Sequence, residues 1–421
     1  MMRASHPWWR IGWRNLGRNP RRSLFTAGGL AVGYAAVVVM AGLGRGMVAE
    51  MIGNGTGILS GQLQVHAADY LPERSVYETI GGDDGTDVAA LIEAVERDPT
   101  VVAAAPRVYG GGLISAGDNT LAAGLVGIDP AREADVSTIM RTGEAGEYPR
   151  LGENELWIGR EMARQLAVEP GDVVVVVAPA ADGSLGNDLF TVAGVFRTGM
   201  AEVDAGLAFV PIDALQALIA LEPSLVHEIA ARIDDPWEAA IVEERLSADL
   251  AIDFPGVSAR AWNRFRPEMV EYAMLFESME WILIVVVFGM AVFGVANTML
   301  MATFERRREF ALLLAVGTTP AIILGSVLWE AFVLGLFSLG LGALLTFPVL
   351  VWWHNAPPNM SWLYGDFTMA GGLIRPVLRV EYPPEMIVFG AVALFVTALI
   401  AAVVPAYRAG RIPPADTLAG R

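Results

Sequence analysis

Five charged residues in succession, Glu305, Arg306, Arg307, Arg308 and Glu309, run into a short apolar stretch that holds Phe310, Leu313 and Leu314 and closes at Gly317. Alternating charges beside an apolar helix perform no group transfer. They suit docking: arginines pair with acids on a partner surface, and the apolar side chains fill a groove. Part of the arginine content also serves membrane topology. A second candidate is Glu330, alone in an apolar run. A carboxylate inside a span is either functional or structural, the structural form being protonated or paired against another helix. A third is a pair of stripes at helical spacing, Met40, Leu43, Met47 and Met51 in one stretch and Phe265, Met269, Tyr272, Phe276 and Met279 in another. Such stripes usually form core. Methionine also suits pliable binding surfaces, so the two together read as a way in for acyl chains.

Conventional catalytic chemistry has no foothold. The sequence holds no G-x-S-x-G, no H-E-x-x-H and no G-x-G-x-x-G following a strand. There is no cysteine, hence no disulfide or thiolate site. All 29 basic residues are arginine, which denies the chain the lysine of a phosphate-binding P-loop. His6, His66, His227 and His354 lack metal-ligand spacing, so no metal is expected.

These residues are positioned by membrane spans. Of the 421 residues, 54% are hydrophobic, with a mean hydropathy of +0.46. Four stretches are long enough to cross about 30 Å of hydrocarbon as helices. We place them at 23–44, 280–303, 321–353 and 386–407. The third lacks a turn signal near Glu330 and reads as one long helix. Arginines cluster before the first span, at 306–308 and at Arg408, Arg411 and Arg421, which puts 1–22, 304–320 and 408–421 on the cytoplasmic side. The segments 45–279 and 354–385 then lie outside. Residues 45–279 carry 15 arginines against 38 acids, a net charge of −23, which excludes nucleic acid as a partner. The stretch PWWRIGWRNLGRNP (7–20) sets tryptophans and arginines on separate stripes and reads as an interfacial amphipathic helix on lipid.

The outside segment alternates helix and strand patterns. Residues 86–108 read as helix then strand, and 227–262 as strand, helix, strand: two halves of a split βαβ unit. Between them lies a strand-rich insert whose Val173–Val177 run reads as a buried strand. The expected fold class is therefore a four-helix membrane protein with an α+β extracytoplasmic domain, a β-rich lobe inserted in a split βαβ lobe.

FERRREFALLLAVGTTP (304–320) and the helix after it, with Glu330, Gly335, Gly340 and Gly342, resemble the ABC transporter permeases that include LolC, LolE, MacB and FtsX. WRNLGRNPRRSLFTAGGLAVG (13–33), GLVGIDPA (124–131) and PAYRAGRIPPADTLAGR (405–421) match the same family in order. The resemblance implies that 304–320 is a coupling helix, with Glu305 to Phe310, Leu313, Leu314 and Gly317 engaging a cytoplasmic ATPase dimer. ATP and Mg would be bound by that partner, leaving this chain without a cofactor and without catalysis. It implies mechanotransmission for lipoprotein release or export, with a second permease copy or a paralogue. A lipoprotein, a periplasmic carrier or a membrane-fusion protein are further expected partners. MacB-type chains carry their own nucleotide-binding domain before the first span, whereas only 22 residues precede it here, so a separate ATPase is expected. The alternative is an FtsX-like permease that signals to a cell-wall hydrolase. A membrane-anchored enzyme has no motif behind it.

The topology is directly testable, because the chain offers no cysteine of its own. A single cysteine at Ala180 is expected to react with an impermeant maleimide from outside intact cells. Labelling only from the cytoplasmic side would reverse the assignment.

Overall fold

The computed structural model describes residues 20–70, 77–82, 86–142, 151–363, 365, 367–369 and 372–418. The amphipathic segment 7–20 falls almost wholly outside them. In chain order the elements begin with α1 (Pro20–Gly55), which loosens into a π-turn over Thr56–Ser60, then β1 (Leu63–Ala67), α2 (Val88–Glu96), β2 (Val101–Ala116), β3 (Asn119–Ile128) and α3 (Pro130–Val136). There follow β4 (Glu155–Gly159), α4 (Arg160–Leu166), β5 (Val173–Pro179), β6 (Leu185–Phe196), α5 (Ala201–Gly206), β7 (Leu207–Pro211) and α6 (Ile212–Leu218). The chain continues through β8 (Glu228–Ile233), α7 (Ala239–Asp253), β9 (Val257–Ala261), α8 (Trp262–Phe265) and α9 (Pro267–Glu305). It ends with α10 (Arg307–Ala315), α11 (Pro320–Asn355), β10 (Phe367–Met369), β11 (Gly372–Ile374), α12 (Pro384–Gly410) and α13 (Pro414–Leu418).

The chain divides into two compact units. One comprises 1–48, 274–360 and 377–421, and contains the apolar helices. Among the described residues four helices, α1, α9, α11 and α12, are long and apolar enough to cross a membrane. They bury Leu30, Tyr34, Val38, Phe288, Val327, Leu334 and Leu394 against one another. Their outer faces stay apolar, with Phe293 78% and Val285 and Leu344 each 70% exposed, the inverse of a water-soluble surface. Small residues set the close contacts. A Cβ on Gly342 would lie 2.9 Å from the Tyr34 ring, and one on Gly335 would lie 3.0 Å from Phe395. Gly340, between them in sequence, faces open space. On α1 a Cβ at Gly46 would fall 2.0 Å from the Arg379 carbonyl oxygen, so only glycine lets that backbone lie on the helix.

The other unit comprises 49–273 and 361–376. Strands β1 to β9 form one sheet in the order β3-β7-β4-β6-β5-β2-β8-β1-β9, and β10 and β11 pair separately. The run β2-β8-β1-β9 is antiparallel throughout, and the pairs β1–β2 and β8–β9 are bridged by α2 and α7, which is the split βαβ unit. The inserted strands are not a separately hung lobe. The first half of β2 pairs with β8, from Val101↔Ile233 to Arg107↔Glu228, and its second half pairs with β3 and β5. One 16-residue strand thus carries both lobes. The valine run is also corrected. Val174 and Val176 are buried, while Val173 is 57% and Val175 39% exposed, so β5 covers the core with one face only. Within 354–385, expected to be an outside loop, residues 361–376 belong to this unit and contribute Leu373 to a core cluster with Ile58, Trp157 and Phe209.

The far end of α1 is held in this unit by side chains. Thr138 Oγ1 donates to the Gly57 carbonyl at 3.2 Å, Ser137 Oγ to that of Ile58 at 3.0 Å, and Arg107 Nη1 to that of Leu59. These are the carbonyls a helix end leaves without partners, and a cation is favoured there. Arg107 is itself buried, with Nε and Nη2 donating to both oxygens of Glu133, at 3.1 and 2.6 Å. Its Nη1 lies 3.5 Å from Glu228 Oε1, which also accepts from the Tyr109 hydroxyl at 2.9 Å. Burial, with the Glu228 charge beside it, pushes that hydroxyl well above its usual range, so it stays a donor. Removing Arg107 would strand two buried carboxylates and free the end of α1. R107M is therefore expected to destabilise the unit by about 3–5 kcal/mol, read by guanidinium unfolding of the full chain in detergent. A loss below about 1 kcal/mol would show that the network holds nothing in place.

Candidate coupling site

The charge run of 305–309 sits at the joint between α9 and α10. Glu305 is the last residue of α9, and Arg306 caps α10 with φ −99° and ψ 10°, outside helical geometry. The helical run thus breaks at Arg306, with charges on both sides of the break. Arg22 Nη1 donates to Glu305 Oε2 at 2.7 Å, tying the start of α1 to the end of α9.

Arg306 is the hub. Its Nη1 donates to Glu330 Oε2 at 2.9 Å, and its Nε to Glu309 Oε2 at 3.2 Å. Its guanidinium also stands 5.0 Å from the centre of the Phe310 ring. Glu330 lies ten residues into α11, about 15 Å along its axis. Its side chain is 13% exposed, and the Arg306 pair compensates its charge. This carboxylate on α11 is thus paired with the residue that caps α10.

The far end of α10 is equally defined. Gly317 N–H donates to the Leu314 carbonyl at 3.1 Å and Thr318 N–H to that of Leu313 at 3.0 Å, the paired bonds of a Schellman motif. That motif needs a left-handed residue, and Gly317 supplies it at φ +102°. Pro320 then opens α11, where its missing N–H costs nothing.

The faces of α10 differ from expectation. Phe310 is 2% exposed and belongs to the membrane unit's own core, with Leu314 packed against it. Neither projects outward to fill a partner's groove. The row Arg306–Phe310–Leu314, at i, i+4, i+8, faces inward because the ion pair with Glu330 heads it. The row Arg308–Leu312–Val316 faces outward, and Leu313 beside it is exposed too. Leu312 is 56%, Leu313 46% and Val316 80% exposed. Arg307 and Arg308 are exposed and make no ion pair among the described residues. Leu312 and Val316 were not singled out from sequence. The i, i+4 step from Arg308 was the available signal, had Arg306 been read as pointing inward.

The methionine stripes do not form one face. Met51 and Met269 are fully buried in the outside unit, where Met269 lies under Gly55 and Met51 against Gly372. Both are core, because each helix carries its stripe from the span into that unit's packing. Leu43, Met47, Phe265 and Phe276 are half-buried. Met40 is 52%, Met279 57% and Tyr272 37% exposed.

Comparison with known proteins fits this architecture. The model for the MacB-like periplasmic core domain matches residues 23–249, and that for the FtsX-like permease C-terminal region matches 281–414. The chain is 24% identical over 405 residues to the lipoprotein-releasing system transmembrane protein LolC of Xylella fastidiosa, covering 92% of this chain and 94% of that one. It is 22% identical over 342 residues to LolE of Haemophilus influenzae, covering 78% and 80%. It is 22% identical over 420 residues to the macrolide export ATP-binding/permease protein MacB of Escherichia coli O157:H7, covering 97% of this chain but 60% of that one. Four apolar helices, a MacB-like outside domain and an FtsX-like permease half place the protein in the MacB/LolC–LolE/FtsX family of ABC transporter permeases.

Proposed function

We propose that the chain is the membrane subunit of a transporter that works by mechanotransmission. A separate cytoplasmic ATPase dimer seats on the outward row of α10. It binds ATP and Mg, and this chain contributes no catalytic residue. Closure of that dimer pushes α10, and the break at Arg306 passes the push to α9 and α11. The outside domain moves in response and acts on cargo in the outer leaflet or the periplasm. The observation that carries the reading is the two-sidedness of α10: an exposed face of Arg308, Leu312, Leu313 and Val316, and an inward face fixed by Arg306 to Glu330. A helix that only marked topology would need neither.

Lipoprotein release is the favoured cargo class, since LolC is matched over 94% of its length. The exposed Met40 and Met279 are the residues we assign to acyl-chain contact. A groove of about 720 Å³ between α1 and α9, lined by Gly29, Gly33 and Gly294, supports a second permease copy or a paralogue as the membrane partner. We assign both termini to the cytoplasm of an inner-membrane protein, from the arginine clusters of the sequence. The alternative, control of a wall hydrolase, has no observation of its own.

Docking is tested by co-purification of the co-expressed ATPase in detergent. R308E and L313D both alter exposed groups without touching the Arg306 pairs. Each is expected to lower retained ATPase at least about tenfold, a cost of about 1.4 kcal/mol or more. The outside domain should unfold as before. E309R is a poorer probe, since it also breaks the contact with Arg306. Full retention in both variants would mean that α10 does not dock.

A further inference from the structure

A second cluster of arginines lies beside α10 and takes no part in the contacts above. Thr303 and Phe304 at the end of α9, Arg307 at the start of α10, Arg408 near the end of α12, and Arg411 line one cavity of about 360 Å³. The remaining wall is Ile412, Pro413 and the start of α13. All of it belongs to the membrane unit.

Three guanidiniums share this cavity, and none forms an ion pair among the described residues. Arg411 is held by its stack on the Tyr407 ring, with its carbon 4.4 Å from the centroid. One carboxylate, Asp416, lies in the lining, so the arginines outnumber it three to one. The outside domain's Arg107, Arg245 and Arg132 each face a carboxylate. The rim is also apolar. Phe304 is 57% exposed, and Ile412 and Pro413 continue that edge. Cations over an apolar rim, at the ends of two spanning helices, fit an amphiphile better than a free anion or an acidic peptide.

We propose that this cavity holds the phosphodiester headgroup of an anionic phospholipid from the inner leaflet. The arginines bind the phosphate, and Phe304 and Ile412 meet the glycerol and upper acyl carbons. A lipid seated there touches α9, α10, α12 and α13 at once, and so stiffens the joint that carries the stroke. The inner-leaflet placement rests on the orientation proposed above. Binding in detergent does not depend on that orientation, so the two ideas fail separately.

The test is native mass spectrometry of the full chain in detergent, titrated with dioleoyl phosphatidylglycerol or phosphatidylcholine. One phosphatidylglycerol per chain is expected to be retained in preference to the zwitterionic lipid. R408Q/R411Q should lower its affinity about 30-fold, as expected for two surface cations at about 1 kcal/mol each. R197Q/R375Q makes the same charge change in the outside unit and should leave binding intact. Should R408Q/R411Q fail to fold, R411Q alone carries the test with roughly a fivefold loss. Undiminished binding in the cavity variant, or equal loss in the outside control, would overturn the assignment. So would displacement of the lipid by inorganic phosphate at equal concentration. Loss of ATPase co-purification in R408Q/R411Q with lipid retention unchanged would assign the arginines to docking instead.

Discussion

A carboxylate ten residues inside an apolar helix has to be compensated, and much of the membrane unit follows from how this chain does it. Arg306 reaches Glu330 from the break between α9, which stops at Glu305, and α10. That contact fixes which row of α10 faces inward. Phe310 and Leu314 are thereby drawn into the chain's own core, and Leu312, Leu313 and Val316 are left outside. A lone exposed ion pair would be worth little. This one is largely buried, so either partner left alone would be costly, and the joint is correspondingly stiff. The Schellman motif at Gly317 sets the other end, so α10 is a short rigid piece between two defined joints.

The same logic recurs where α1 ends. A helix that leaves its last carbonyls unsatisfied would fray, and a frayed end transmits no force. Arg107, Ser137 and Thr138 satisfy those of Leu59, Ile58 and Gly57, and Glu133 and Glu228 hold Arg107 in turn. The partners come from β2, α3, β8 and the turn after α3, so the helix end is fixed to several elements of one sheet. In the proposed mechanism the outside domain follows α1 because this end is clamped.

The four spans were legible because an uncharged apolar run of helical length has one meaning. The split βαβ unit was legible because its halves repeat a local pattern. The double role of β2 was not, since nothing in a strand's own residues marks where it changes partners. The Arg306–Glu330 pair joins residues 24 apart on two helices, and periodicity within either helix is blind to it. That blindness also misassigned Phe310. Its hydrophobicity suited a partner's groove and a core equally well, and only the direction of Arg306 decides between them. Met51 and Met269 show the same ambiguity, as methionine serves both core and contact surface.

The central claim is that Arg306 and Glu330 link the docked helix to the spans. A double-mutant cycle on ATP-driven cargo release by the reconstituted complex tests it most directly. R306Q leaves Glu330 uncompensated in the span, and E330Q does the reverse to Arg306. R306Q/E330Q removes both charges and leaves neither stranded. The account predicts that each single variant loses release while keeping its ATPase bound, and that the double variant recovers part of it. Losses that simply add, with the double variant worse than either single, would contradict it.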